Sequence, residues 1–169
     1  MTELTISQAL RYSNKLKNQI SETRTRAFGS LNHKSGEPTA FSFNEMLEKS
    51  EKLSDELADL QGKLAVANAI TTFEYKEDRI TLAHAVKILQ ELKGQIAWLK
   101  SLPCLANESV TTTDSQWDDD NSKYVKQQIT TLCSLPEADR AEMVDNLQDE
   151  FDSLNGAVEA LNQTTKLSV

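Results

Sequence analysis

Six apolar residues, Val144, Leu147, Phe151, Leu154, Val158 and Leu161, recur at alternating spacings of three and four. This is the repeat of a helix packed against other helices. A second run of the same kind, Leu53, Leu57, Leu60, Leu64 and Ala67, lies upstream. The chain therefore holds at least two long amphipathic helices that need partners. Burying each leucine of such a seam contributes about 1.5 to 3 kcal/mol, which outweighs differences in helix propensity.

Two further helices are predicted. Thr5 is a plausible N-cap for a first helix with a seam of Ile6, Leu10, Ser13, Leu16 and Ile20, continuing through Ala27 and Phe28 to about Leu31. Gly36 and Pro38 mark a loop, because proline biases the residue before it away from the helical region. Ser42 and Glu45 have the spacing of a capping box, opening a second helix from Phe43 to roughly Thr72. Thr81 can cap a third, with Leu82, Val86, Leu89, Leu92, Ile96 and Leu99 on one face and Pro103 closing it. The short connection between the second and third helices predicts that they pack as an antiparallel pair. Ser134 and Glu137 have capping-box spacing ahead of the last helix, which runs to about Thr165.

Residues 109–133 change character. Val110, Thr111, Thr112, Thr113 and Trp117 precede an Asp/Asn cluster at 118–121, and Tyr124, Val125, Ile129, Thr130 and Thr131 follow it. β-Branched and aromatic residues about such a cluster suggest a β-hairpin. The alternative is a short helix over 122–133, favoured by Lys and Gln and opposed by the threonines. The expectation is a mainly α fold: an elongated bundle of about four long helices, with a hairpin between helices three and four. The whole of 1–169 reads as a single domain, with 106–133 as a possible insert. A compact domain of this length has a radius of gyration of roughly 15 Å, whereas a helix of about 30 residues is roughly 45 Å long. An elongated bundle leaves an apolar flank uncovered, so a homo-oligomer is expected.

The formal net charge of −8 argues against nonspecific nucleic-acid binding. The charge is unevenly placed. Residues 1–36 hold Arg11, Lys15, Lys17, Arg24, Arg26 and Lys34 against Glu3 and Glu22, so the acidic excess lies in the remainder. A basic first helix either pairs with acidic neighbours or lines an anion-binding pocket. Cys104 and Cys133 have no metal-ligand spacing and are too few for a disulfide framework, which fits reduced thiols in a cytoplasm. No apolar run is long enough for a membrane span.

Chemistry is sparse. The chain has no Gly-rich phosphate loop, no zinc-type His/Cys spacing and no Gly-x-Ser-x-Gly elbow. No enzyme, cofactor or metal is expected. His33, beside Lys34 in a loop, is a candidate anion contact, and His84 reads as a helix-surface residue. Asn68 and Thr71 lie where a heptad could have continued. They mark either a helix end or hydrogen-bond donors for a ligand. Trp117 and Tyr124 either stack on a planar ring or pair across strands.

With these segments placed, the chain resembles the septicolysin-like family of bacterial and phage helical proteins. The likeness is carried by ISQALRYSNKLKNQISETRTRAF, the GEP loop, NEMLEKSEKL, LAVANAITTF, ITLAHAVKILQELK and LNGAVEALNQTTKL. The chain departs from the family pattern at Ala65, Gln163 and Lys166 and is longer over 105–121. The resemblance implies a helical bundle with a β-hairpin, assembled as a ring-like hexamer and without enzymatic activity.

The leading expectation is a non-catalytic oligomer that sequesters a small anionic nucleotide signal, of ADP-ribose or cyclic-nucleotide type, as a phage counter-defence protein in a host cytoplasm. Arg24, Arg26, His33 and Lys34 would meet phosphates, Asn68 and Thr71 would read polar edges, and Trp117 or Tyr124 would stack. The alternatives are a protein-interaction oligomer and a nucleotide-signal phosphodiesterase.

Overall fold

The buried positions of the first helix keep a strict alternation of three and four: Ile6, Ala9, Ser13, Leu16, Ile20, Thr23, Ala27 and Ser30. Five of these are small, so a neighbouring backbone can approach closely. In the computed structural model, which describes residues 3–32, 34–36, 40–120 and 123–168, that neighbour is the second helix. The elements in chain order are β1 (Glu3–Thr5), α1 (Ile6–Ser30), α2 (Phe43–Ile70), β2 (Thr72–Tyr75), β3 (Asp78–Thr81), α3 (Leu82–Ser101), β4 (Ser109–Asp118), β5 (Lys123–Leu132), α4 (Glu137–Thr164) and β6 (Lys166–Ser168).

The expected mainly α, long-helix bundle is overturned. Among the described residues six strands form three separate two-stranded antiparallel sheets, β1–β6, β2–β3 and β4–β5, making the fold mixed α/β. The hydrophobic repeat locates helices but is silent about strands of three or four residues, which are too short to show a period of two. Residues 109–118 and 123–132 form the longest of the sheets, in register from Ser109 opposite Leu132 to Asp118 opposite Lys123.

The chain divides into two compact units. The first comprises 1–87 and 154–169, and the second is Ile88–Ser153, inserted between them in sequence.

In the first unit α1 packs along α2. Tyr12 donates to the Glu56 carboxylate and Arg24 to Ser50, so rising numbers on α1 meet falling numbers on α2 and the pair is antiparallel. The connection from α2 to α3 holds the β2–β3 hairpin, turning through Lys76 in the left-handed region at φ 55°. A bond from Leu82 N–H to the Thr71 carbonyl, 2.9 Å, closes its base. The core of this unit includes Ile6, Leu16, Leu60, Leu64, Ile80, Leu82, Leu154, Val158 and Leu167. Leu167 faces Leu4 in the β1–β6 pair, which joins residues far apart in sequence.

In the second unit Ile96, Leu99 and Val144 form a core with Leu102, Leu135, Leu147 and Phe151 against it. Arg140 fastens the end of α3, donating from Nη1 to the Leu99 and Lys100 carbonyls while Nη2 pairs with Glu137. These carbonyls are among the groups a helix end leaves unbonded. Cys133 closes the base of the β4–β5 hairpin: its N–H donates to the Glu108 carbonyl at 2.7 Å and its thiol to the Leu135 carbonyl at 3.1 Å. Both cysteines are free thiols.

The helix caps follow the sequence in part. Thr5 and Gln8 form a reciprocal capping box, and Thr81 Oγ1 accepts from His84 N–H at 3.1 Å. Ser42 is an N-cap by backbone geometry but makes no side-chain bond to its helix. Glu137 is the first residue of α4 and its carboxylate is turned to Arg140, so the expected box with Ser134 is not formed. Leu10 and Phe28, expected on the seam of α1, are exposed.

Candidate functional site

Two of the basic residues of α1, Lys17 and Arg24, fall on one strip. Lys17, Ile20, Ser21, Arg24, Thr25 and Phe28 recur at helical spacing and line an open cavity of about 450 Å³. Arg24 is held from behind, its Nε donating to the buried Ser50 Oγ at 3.1 Å and its Nη2 reaching toward Ser54 Oγ at 3.5 Å. Both partners are neutral. Among the described residues no carboxylate pairs with Arg24, so its charge remains available to an anion. Thr25 Oγ1 donates to the Ser21 carbonyl at 2.9 Å, which commits its hydrogen and leaves the oxygen able only to accept. The donors the strip offers are Lys17 Nζ, the remaining Arg24 N–H groups and the Ser21 hydroxyl. Phe28, 77% exposed, adds a bare ring one turn further on.

A larger cavity of about 600 Å³ lies beside α2 and β6, with Lys63 and Lys166 in its lining. Both lysines already have carboxylate partners, Lys63 with Asp59 at 2.7 Å and Lys166 with Glu3 at 3.1 Å. Its volume is greater, but its positive charge is already answered. In the second unit a cavity of about 360 Å³ is lined by Gln95, Trp98, Leu99, Met143, Asn146 and Leu147, with no charged side chain.

Within the first unit, Arg24 and Asn68, expected to share one ligand, do not meet. Arg26 stacks its guanidinium on Phe41, 5.3 Å from the ring centre. Lys34 is exposed, and His33 lies outside the described residues. Thr71 caps α2, with its N–H on the Ala67 carbonyl and its own carbonyl accepting from Leu82, so its backbone serves the helix end. Asn68 has a buried Oδ1 with no partner among the described residues. It stands fourteen residues beyond Ser54 on α2, and hence about 21 Å along the helix from the level of Arg24. Trp117 and Tyr124 pair directly across the β4–β5 hairpin, edge to face at 5.0 Å between ring centres and 70° between planes. Theirs is the cross-strand arrangement.

Of the strip, Arg24 is a ligand contact expected from the sequence, whereas Lys17, Ser21, Thr25 and Phe28 are not among those expected. Their spacing was the available signal, since 17, 21, 24 and 28 share a helix face. Among the described residues no group of three or more His, Cys, Asp and Glu side chains is placed to hold a metal ion, and no helix is long and apolar enough to cross a membrane.

Among the described residues, four helices and three two-stranded sheets in two units define a mixed α/β protein with a cationic helix face. The chain belongs to the family of unknown function DUF6847, which it matches over residues 13–167. No curated protein matches it. Among solved structures it is similar to the crystal structure of a functionally unknown conserved protein from Corynebacterium diphtheriae. The TM-score is 0.74 at 19% identity, covering 99% of this chain and 100% of the other. At that identity the likeness is one of fold.

Proposed function

We propose that the protein is a non-catalytic binder of a small anionic ligand, which it holds on the α1 strip and releases unaltered. The observation that carries this reading is the Lys17–Ser21–Arg24 row beside the exposed Phe28, with Arg24 braced by serines rather than neutralised. Two cations and a hydroxyl suit a phosphate, and an open aromatic ring suits a base, so the ligand class is nucleotide-like. Sequestration of an ADP-ribose-type or cyclic-nucleotide signal in a cytoplasm is the setting this supports. A homo-oligomer, six copies by the septicolysin-like resemblance, is the proposed assembly.

Calorimetric titration with ADP-ribose, cyclic dinucleotides and inorganic phosphate tests the reading. Binding of a nucleotide should weaken at least about tenfold in Lys17→Gln and again in Phe28→Ala, both exposed positions whose loss spares the core. Mass spectrometry of the released ligand should find it intact. If none of these compounds binds, or if Lys17→Gln binds as tightly as the parent, the strip is not a ligand site.

A further inference from the structure

The two cysteines meet at one junction of the second unit. Cys104 follows the end of α3 and Cys133 follows the end of β5, so the pair brackets the whole β4–β5 hairpin. Both are free and half-buried. The N–H of Leu105, the residue after Cys104, donates to the Cys133 sulfur at 3.4 Å. An N–H bond stands nearly at right angles to the line from its nitrogen back to the preceding Cα, so this contact sets the Cys133 sulfur roughly 4 to 5 Å from the Cys104 Cα. Disulfide-bonded cysteines have Cα atoms about 4.4 to 6.8 Å apart, and a sulfur at that distance from the opposing Cα is within reach of such a bond. The surroundings hold the pair in place. Cys133 N–H donates to the Glu108 carbonyl at 2.7 Å, its thiol donates to the Leu135 carbonyl at 3.1 Å, and Glu137 N–H donates to the Leu105 carbonyl at 2.9 Å. The exit of α3, the end of β5 and the start of α4 are thereby tied around the two sulfurs. The Arg140 guanidinium, raised above its ordinary value first by its bond to Glu137, also feels the charge of Cys104, so that side chain lies within range of the start of α4.

We propose that Cys104 and Cys133 are a reversible redox pair whose disulfide fastens the two ends of the β4–β5 hairpin. The oxidant is a small disulfide of the glutathione class. The Cys104 thiolate attacks one of its sulfurs, the small S–S bond breaks and one glutathione thiolate leaves. The Cys133 thiol then gives up its proton and attacks the Cys104 sulfur, displacing the second glutathione thiolate. Two protein thiols are oxidised, one small disulfide is reduced to two thiols, and an excess of a dithiol reverses the exchange. Cys133 is the second attacker because its sulfur is already held between the Leu105 amide and the Leu135 carbonyl. The hairpin gives the bond a consequence. In β4 only Val110 and Asp118 are half-buried, and every residue of β5 is exposed. A two-stranded hairpin with so little burial is marginal in water. A covalent link at its base removes open conformations, so oxidation orders the hairpin and reduction loosens it.

This pair uses none of the α1 strip, so its failure leaves the ligand reading to be judged by titration alone. The test equilibrates the full chain in buffers of graded reduced and oxidised glutathione, followed by alkylation and peptide mass spectrometry. The native chain should lose both thiols together to a link between residues 104 and 133 of one molecule. Its equilibrium constant should be at least about tenfold larger than in strong urea, because folding holds the two sulfurs together. The oxidised chain should accordingly unfold at a higher urea concentration than the reduced one. Amide exchange over 109–118 and 123–132 should slow on oxidation and recover in dithiothreitol. Cys133→Ser should stop at one glutathione on Cys104, and Cys104→Ser should form no internal link. The proposal is overturned if glutathione adds to both cysteines without a link, if the link joins two chains, if the constant is no larger in the native chain than in urea, or if hairpin exchange is the same in both states.

Discussion

At the residue scale, polar contacts between α1 and α2 do more than the apolar pattern suggests. The Tyr12 hydroxyl donates to the Glu56 carboxylate, and that bond, with some desolvation, raises the tyrosine above its ordinary value of 10.0. A raised folded pKa means that the contact stabilises the protein below the ordinary value and is lost as pH climbs through the raised one. Tyr12→Phe should therefore lower stability at neutral pH by under about 1 kcal/mol, the contact being exposed. The gap between parent and variant urea midpoints should close in strong alkali; a gap that persists there would remove Glu56 as the cause. Individual residues were most legible in the sequence where size and period agreed, while the small Ser13 and Ala27 could be placed on the seam by period alone. Leu16 and Ile20 announce the buried seam, but Ala9, Thr23 and Ser30 share it unannounced, because small and polar side chains carry little hydrophobic signal. Leu10 and Phe28 carry that signal and lie one position off the seam.

At the scale of elements, the four helices could be read from their spacing, whereas β2–β3 could not. Its turn passes through Lys76 at positive φ, a position where Gly or Asn would have marked a hairpin. The strand residues Phe73, Tyr75 and Ile80 are too few to establish a period. The longer β4–β5 was visible because threonine, valine and aromatic residues accumulate over ten positions on each side. Gly62, inside α2, has no signal of its own and offers a direct test of helix energetics. A methyl group added there meets nothing within 4 Å. Gly62→Ala should raise stability by up to about 1 kcal/mol through the lower backbone entropy of the unfolded chain, seen as a higher urea midpoint. A fall in the midpoint would show that this face of α2 needs the bare backbone, as a closely packed partner would require.

At the scale of the molecule, the first unit is assembled from two stretches of sequence that the second unit separates. Neither stretch is complete. Leu167 is buried opposite Leu4, and Ile6 N–H donates to the Thr165 carbonyl at 3.0 Å, so β6 and the end of α4 finish a core begun at β1. Leu167→Ala should cost about 2 to 4 kcal/mol. Loss of amide protection in β1 and α1 would locate the damage in this unit. Protection that survives in α1 while the second unit loosens would show that the strand pair carries little of the stability. The candidate ligand strip shares this dependence through α1, which packs along α2 and is tied at Ile6 to the Thr165 carbonyl. Nothing in the local sequence of 166–168 betrays it: pairing with residues more than 160 positions away is a property of topology, which hydrophobic period does not encode.

The meeting of β1 with β6 also sets a timetable for synthesis. A ribosome makes about 5 to 20 residues per second, so several seconds separate residue 87 from residue 154 while the whole inserted unit is translated. Throughout that interval Ile6, Leu60 and Leu64 have been made but the strand and helix that complete their enclosure have not. The nascent chain is consequently most exposed to mispairing and chaperone capture before α4 emerges, and slowing translation within 88–153 lengthens the period of risk.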